Sequence, residues 1–223
     1  MQVRPEVVPF LIAGLILSLL VFSLCRCITR KWPTSLIVAG LILLVLSGYM
    51  LYFFRDPERT PPADPNAIVA GADGTVMSIT TLPEKQFLHT DAVRISIFLS
   101  LFDVHVNRAP IGGTVKSLSF CPGKRYFTFE EKSSEFNQHN SILIEGKTRC
   151  LVNQIVGPVA RRVVHWLHIE QKLQEGDRIG MMKFGSRLDM YFPADDVVVV
   201  ARIGQKVSAG VTPVAMLKRK GTE

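Results

Sequence analysis

Two stretches near the N-terminus lack charge. Val7 to Cys25 and Trp32 to Phe54 contain no Asp, Glu, Lys or Arg. Each reaches the ~20 residues that a helix needs to cross a bilayer. Only 169 residues follow Phe54, too few to bury both runs as core helices. The first run also lacks a small-residue cleavage site, and a second run follows at once. Both facts exclude a secretory signal and favour a membrane-spanning helical hairpin over residues 1–54. After Phe54 the chain lacks long segments of helical period, apart from a weak stretch at Thr81 to His89, so a helical domain is excluded. Cysteine is sparse. Cys25, Cys27, Cys121 and Cys150 have no metal-ligand spacing with a histidine, which argues against a metal site. Basic runs are missing except Lys218-Arg219-Lys220, which argues against nucleic acid as a partner.

The soluble part is mildly basic, with 22 basic against 18 acidic residues from Arg55 on. Such a charge suits a neighbour of anionic headgroups, although ordinary solubility produces the same count. Arg55 to Asn66 carries Pro57, Pro61, Pro62 and Pro65, and reads as a short stiff linker, 55–66. From 67 to 223 the pattern is a series of short strands bounded by Gly, Pro, Asn or Asp, Tyr126 to Phe129 and Leu188 to Phe192 among them. Small turns such as Ala72-Asp73-Gly74 and Ile111-Gly112-Gly113 join them. The expected architecture is mostly β. It is a compact barrel or sandwich, similar to the barrel-sandwich hybrid of carrier domains, behind a transmembrane helical hairpin.

Three polar clusters interrupt the β pattern. They are Gly71 to Gly74, Ser100 to Pro110, and Lys183-Phe184-Gly185-Ser186. Together they offer a carboxylate (Asp73), an imidazole (His105) and a hydroxyl (Ser186). A base within ~3 Å of the hydroxyl, oriented by a carboxylate, would activate it. The hydroxyl also adjoins an unhindered glycine carbonyl, so it could attack its own backbone. Taken singly, each of these residues reads more readily as an ordinary turn or strand residue than as a functional one. A membrane-tethered serine hydrolase would use the same residue types, but the nucleophile elbow Gly-x-Ser-x-Gly is missing around Ser186. A non-enzymatic biotinyl- or lipoyl-like carrier is the other alternative, because Met182-Lys183-Phe184 echoes a carrier hairpin.

The ordered set of segments resembles the phosphatidylserine decarboxylases, in their short archaeal-type form. It comprises Phe53-Phe54-Arg55-Asp56-Pro57, Ala72-Asp73-Gly74, Asp103-Val104-His105-Val106-Asn107-Arg108-Ala109-Pro110, Gly157-Pro158-Val159-Ala160-Arg161-Arg162 and Gly180 to Asp189. The resemblance implies self-cleavage between Gly185 and Ser186. Ser186 would become a covalent pyruvoyl cofactor on a small subunit, 186–223, which pairs with a large one, 1–185; higher oligomers stay open. It implies that the pyruvoyl takes phosphatidylserine from the membrane as a Schiff base and releases carbon dioxide and phosphatidylethanolamine. His105 matches a family histidine tied to decarboxylation. Arg108 stands where longer members carry a second histidine. The activator of Ser186 is therefore expected to be His105 with Asp73, with His139 and His168 as alternatives. Arg108, Asn107 and Lys183 are the expected substrate-binding residues.

The turn between the two apolar runs carries Arg26, Arg30 and Lys31, while Arg4, Arg55, Arg59 and a basic domain stand on the other side. Positive-inside bias is a difference between sides and does not decide here. The resemblance favours a cell-membrane protein with its domain on the cytoplasmic face, where phosphatidylserine is made.

Overall fold

The computed structural model describes residues 2–158 and 163–218. It divides between Glu58 and Arg59 into two units.

In the first unit, strand β1 (Gln2–Val3) precedes helices α1 (Val8–Thr29) and α2 (Trp32–Phe53). Strand β2 (Arg55–Asp56) then pairs antiparallel with β1. Pro9 and Pro33 stand in the first helical turns, where their missing N–H costs nothing. The residues buried along the two helices are mostly small, Gly14 and Ser18 on α1 with Ser35 and Ala39 on α2. Ser18 Oγ donates to the Ala39 carbonyl at 2.8 Å. Close approach of small residues plus an interhelical hydrogen bond is how helices associate where lipid removes the hydrophobic drive. Both helices are long and apolar enough to cross a membrane, as the charge-free runs led us to expect.

The second unit is nearly all strand. In chain order it contains β3 (Ala67–Val69), β4 (Gly74–Glu84), β5 (Thr90–Leu99), β6 (Val106–Arg108), β7 (Gly113–Cys121), the one-turn helix α3 (Ser133–Phe136), β8 (His139–Gly146) and β9 (Arg149–Val156). There follow β10 (Val164–His165), β11 (Lys172–Leu173), β12 (Arg178–Met181), β13 (Ser186–Pro193), β14 (Val197–Val199), β15 (Lys206–Val207) and β16 (Pro213–Leu217). Eight strands form one antiparallel sheet, ordered β11-β7-β8-β9-β13-β5-β4-β15, which curls into a half-barrel. Two three-stranded sheets, β10-β12-β6 and β14-β16-β3, complete the unit. The expected mostly-β architecture is borne out.

Strand β13 lies between β9 and β5, and every one of its residues is buried. Leu188, Met190 and Phe192 enter the main core with Ile95, Ile97 and Leu99 of β5. Strand alternation puts Arg187 and Asp189 on the opposite face.

Two local expectations need correction. Tyr126 to Phe129 is a turn-rich loop rather than a strand. Thr81 to His89 is not helical. β4 runs on to Glu84, because Thr81 and Leu82 find ladder partners in Val93 and Ala92. The Glu84 carboxylate then closes the turn by accepting the Gln86 and Phe87 amides, both at 2.9 Å. Val159 to Arg162, within one family-like segment, lie outside the described residues.

Candidate active site

Neighbouring strands of the large sheet run antiparallel. The C-terminal ends of β7, β9 and β5 therefore lie beside the N-terminal ends of β8, β13 and β4. All three polar clusters converge on this end. Asp73 immediately precedes β4, the 100–105 loop follows β5, and the 182–185 loop precedes β13.

Ser186 opens β13, two residues earlier than the apolar pattern suggested. It is in register with Leu99 and Val156 and is fully buried. It shares parity with Leu188, so its side chain belongs to the core-facing row. Its Oγ lies 3.5 Å from the Lys183 carbonyl oxygen. The two residues before it both have positive φ, 54° at Phe184 and 68° at Gly185. Glycine adopts that conformation freely, whereas phenylalanine loses ~1–2 kcal/mol there. A Cβ at Gly185 would meet nothing within 4 Å. Glycine thus serves the backbone conformation and leaves its carbonyl unshielded, rather than relieving a clash.

That carbonyl is received by the β7–β8 loop and the end of β9. A Cβ at Gly157 would lie 3.1 Å from the Gly185 oxygen. Thr128 Oγ1 donates to the same oxygen at 3.5 Å. Asn137 shapes the loop that carries Thr128. Its side chain bonds the Tyr126 N–H and C=O, each at 2.8 Å, and donates to the Val156 carbonyl at 2.9 Å.

His105 is fully buried, with Nδ1 2.9 Å from the Asp103 carbonyl oxygen. A carbonyl only accepts, so Nδ1 bears the proton and Nε2 the basic lone pair of the neutral ring. The Asp103 carboxylate fixes this loop by accepting from the Ser100 N–H at 2.8 Å and the Ser100 hydroxyl at 2.6 Å. Met182 N–H donates to the His105 carbonyl at 3.1 Å. The 182–186 loop is thus tied to the 99–105 segment at both ends, by Met182 to His105 and by Ser186 to Leu99.

The other expected residues fall as follows. The Asp73 carboxylate is held by both Nη atoms of Arg59, one pair at 2.7 Å, and accepts the Ala209 N–H at 2.8 Å. The imidazole is oriented instead by the Asp103 carbonyl. Arg108 is 4% exposed and donates to the Gly176 carbonyl at 2.8 Å. Its guanidinium braces a turn, because Gly210 leaves room for its stem. Lys183 is half-buried. Asn107 is fully buried and accepts from Gln154 Nε2 at 2.8 Å. Its Nδ2 has no partner among the described residues. His139 is in register with Ile155, which is also opposite Arg187, so it belongs to the face away from Ser186. His168 lies just before β11, which pairs with the start of β7 at the other end of the sheet.

Sequence reasoning missed Thr128, Asn137 and Arg59. It also missed the buried charge cluster behind Ser186. Arg187 is wholly buried and donates to Asp189 at 2.8 Å, Ser96 at 2.8 Å and Glu131 at 3.2 Å. Ser134 adds a 2.5 Å hydrogen bond to Asp189. The i, i+2 spacing of Arg187 and Asp189 was a readable signal, because a strand puts both on one face. Thr128 carried none.

Residues 46–215 match the model of the family described as phosphatidylserine decarboxylase. Similar curated proteins carry the description phosphatidylserine decarboxylase proenzyme, and three of them illustrate the match. That of Desulfotalea psychrophila is 42% identical over 174 residues, covering 77% of this chain and 80% of its own. That of Carboxydothermus hydrogenoformans is 41% identical over 180 residues, covering 80% and 84%. That of Syntrophus aciditrophicus is 37% identical over 212 residues, covering 93% and 94%.

Proposed function

The chain belongs to the phosphatidylserine decarboxylase family, and from that premise we propose that Gly185 and Ser186 are its self-processing pair and that its mature site acts on phosphatidylserine in the membrane. The protein is a decarboxylase, a lyase of proenzyme type, and a pyruvoyl mechanism is general to this family. The serine hydrolase and carrier readings fall with the family assignment. The observation that carries the proposal is the scissile turn itself. A buried serine follows two residues of positive φ, and a threonine hydroxyl contacts the carbonyl to be attacked.

Ser186 Oγ attacks the Gly185 carbonyl carbon. The Gly185–Ser186 C–N bond breaks, an ester C–O bond forms, and the Ser186 amine is freed. Nε2 of His105 is the base that takes the hydroxyl proton, and Thr128 Oγ1 donates to the oxygen that gains negative charge. Loss of the Ser186 α-proton then expels the Gly185 carboxylate and leaves dehydroalanine. Water replaces its nitrogen, ammonia departs, and a pyruvoyl group caps residue 186. The residues around Ser186 fit such a group. It would sit on the core-facing row, beside His105's loop and shielded from water by β5 and β9. When formed, that group supplies the electron sink for the pair left behind as carbon dioxide departs. His105 returns a proton to the product, and Asn107 Nδ2, which has no partner among the described residues, is a donor for the substrate headgroup.

The two subunits, 1–185 and 186–223, stay together after scission because their strands interleave. β13 pairs with β5 and β9, β15 with β4, and β16 with β3. We place the hairpin in the cell membrane and the domain on the cytoplasmic face. External protease should spare the domain in intact cells and digest it in inside-out vesicles; the reverse would move it outside.

The test of activity is turnover. The purified full chain with phosphatidylserine should release carbon dioxide and phosphatidylethanolamine. Borohydride added during turnover should inactivate it by attaching the lipid to the fragment that starts at 186. Activity that resists borohydride and carbonyl reagents would refute the pyruvoyl reading.

A further inference from the structure

The exposed aromatic side chains of the second unit are gathered rather than scattered. Five phenylalanines are strongly exposed: Phe102 at 67%, Phe120 at 59%, Phe127 at 55%, Phe129 at 60% and Phe136 at 47%. Among the described residues this unit exposes no other large aromatic. All five lie in two segments at the site end of the sheet. Phe102 is in the 100–105 loop, and the others run from the end of β7 to α3. Phe127 and Phe129 stack with centroids 5.3 Å apart and ring planes 15° from parallel. Between them Thr128 turns inward to the Gly185 carbonyl. An apolar wedge therefore sits directly over the scissile turn.

The same loop is basic on its outer side. Lys124 and Lys132 hold their ammonium groups 5.5 Å and 4.3 Å from the Tyr126 ring centroid. Arg125 is exposed. Glu131 is turned away, pairing with Arg94 and Arg187, while Glu130 pairs with Lys132 at 2.6 Å, so Lys124 and Arg125 are the cations the loop presents without an acidic partner among the described residues. Aromatic rings mixed with Lys and Arg are the composition that settles at a lipid headgroup layer. The tether limits the choice of partner. Arg59 is held at this same end by Asp73, six residues after α2 ends at Phe53. Six residues reach at most about 20 Å fully extended.

We propose that this rim, Phe102, Phe120, Phe127, Phe129 and Phe136 with Lys124 and Arg125, docks on the phospholipid bilayer. It brings the headgroup layer to the mouth of the site. The proposal rests on reading α1 and α2 as a membrane anchor and the site as one that acts on a lipid.

Depth-resolved quenching of the full chain in vesicles of brominated phosphatidylcholine and phosphatidylserine tests it. The background is Trp32→Phe with Trp166→Phe, so that one added tryptophan reports alone. With Phe127→Trp, bromine in the acyl chains should quench most of the emission. With Ile169→Trp, exposed at 57% just before β11, it should quench little. A second arm uses Phe127→Ser with Phe129→Ser. Turnover of bilayer phosphatidylserine should fall ~10-fold, while appearance of two chains and turnover of a water-dispersed short-chain phosphatidylserine stay normal. No quenching at position 127, equal quenching at 127 and 169, or cross-linking of position 127 to a second copy would overturn the docking surface. Quenching does not depend on cleavage, so an unprocessed chain would refute the pyruvoyl reading without touching this one.

Discussion

Thr128 Oγ1 donates to the carbonyl oxygen of Gly185 across 3.5 Å and 57 residues of sequence. The contact places a donor where negative charge would develop in the proposed attack of Ser186. Thr128→Val keeps the shape and removes the donor. Self-cleavage should slow ~10²- to 10³-fold, in the range for loss of one such donor. Thr128→Ser should restore most of the rate. Cleavage followed by denaturing gel gives the answer, and an unchanged rate in the valine variant would remove Thr128 from the reaction.

His105 and Asp73 should separate. His105 orients through its neighbour's carbonyl and presents Nε2 as a base, so His105→Ala should lower decarboxylation ~10²- to 10⁴-fold. Asp73 grips Arg59 and the Ala209 amide. Asp73→Asn should loosen the entry of the chain into the domain, lowering its thermal midpoint, and Arg59→Leu should not add to that loss. Losses that add, or a decarboxylation defect in Asp73→Asn as deep as that of His105→Ala, would return Asp73 to the catalytic group.

Glu175 gives the domain a pH signature away from the site. It lines a cavity with Ala67, Ile111 and Lys147. Burial pushes its carboxyl up from 4.5 to about 7, against the opposing pull of Lys147. The folded state then holds this proton more tightly than the unfolded one. Its contribution is complete below about pH 4.5 and is lost as pH rises toward 7. Glu175→Gln should therefore stabilise the protein at pH 8, by about 1 kcal/mol after solvent screening, or ~2–4 °C in Tm. At pH 4 the two proteins should melt together. A gain at pH 4 equal to that at pH 8 would contradict the assignment.

The hairpin and the β character were legible because charge-free runs and strand alternation are local signals. The Gly185-Ser186 pair proposed as scissile drew attention for a similar reason, since it sits in a segment with a family pattern. What local pattern could not show was which loops share the end of one sheet. Thr128 lies in a stretch that reads as a strand, yet Asn137 and Ser133 fold it into a turn over Gly185. Asp73 and His105 are the residue types of a catalytic pair, but a guanidinium offers a carboxylate two parallel donors, and Arg59 takes it. β6 and β15 escaped notice because strands of two or three residues have no period to read.

The central claim is that Ser186 ends its life as a serine by cutting the chain before itself. Intact mass of the purified protein tests it most directly. Two chains are predicted, one ending at Gly185 and one starting at residue 186. The second should resist N-terminal sequencing and have the mass expected for a pyruvoyl rather than a serine. Ser186→Ala should give a single, inactive chain. A fully active protein with one uncut chain, or a second chain that begins with a free serine amine, would contradict the account.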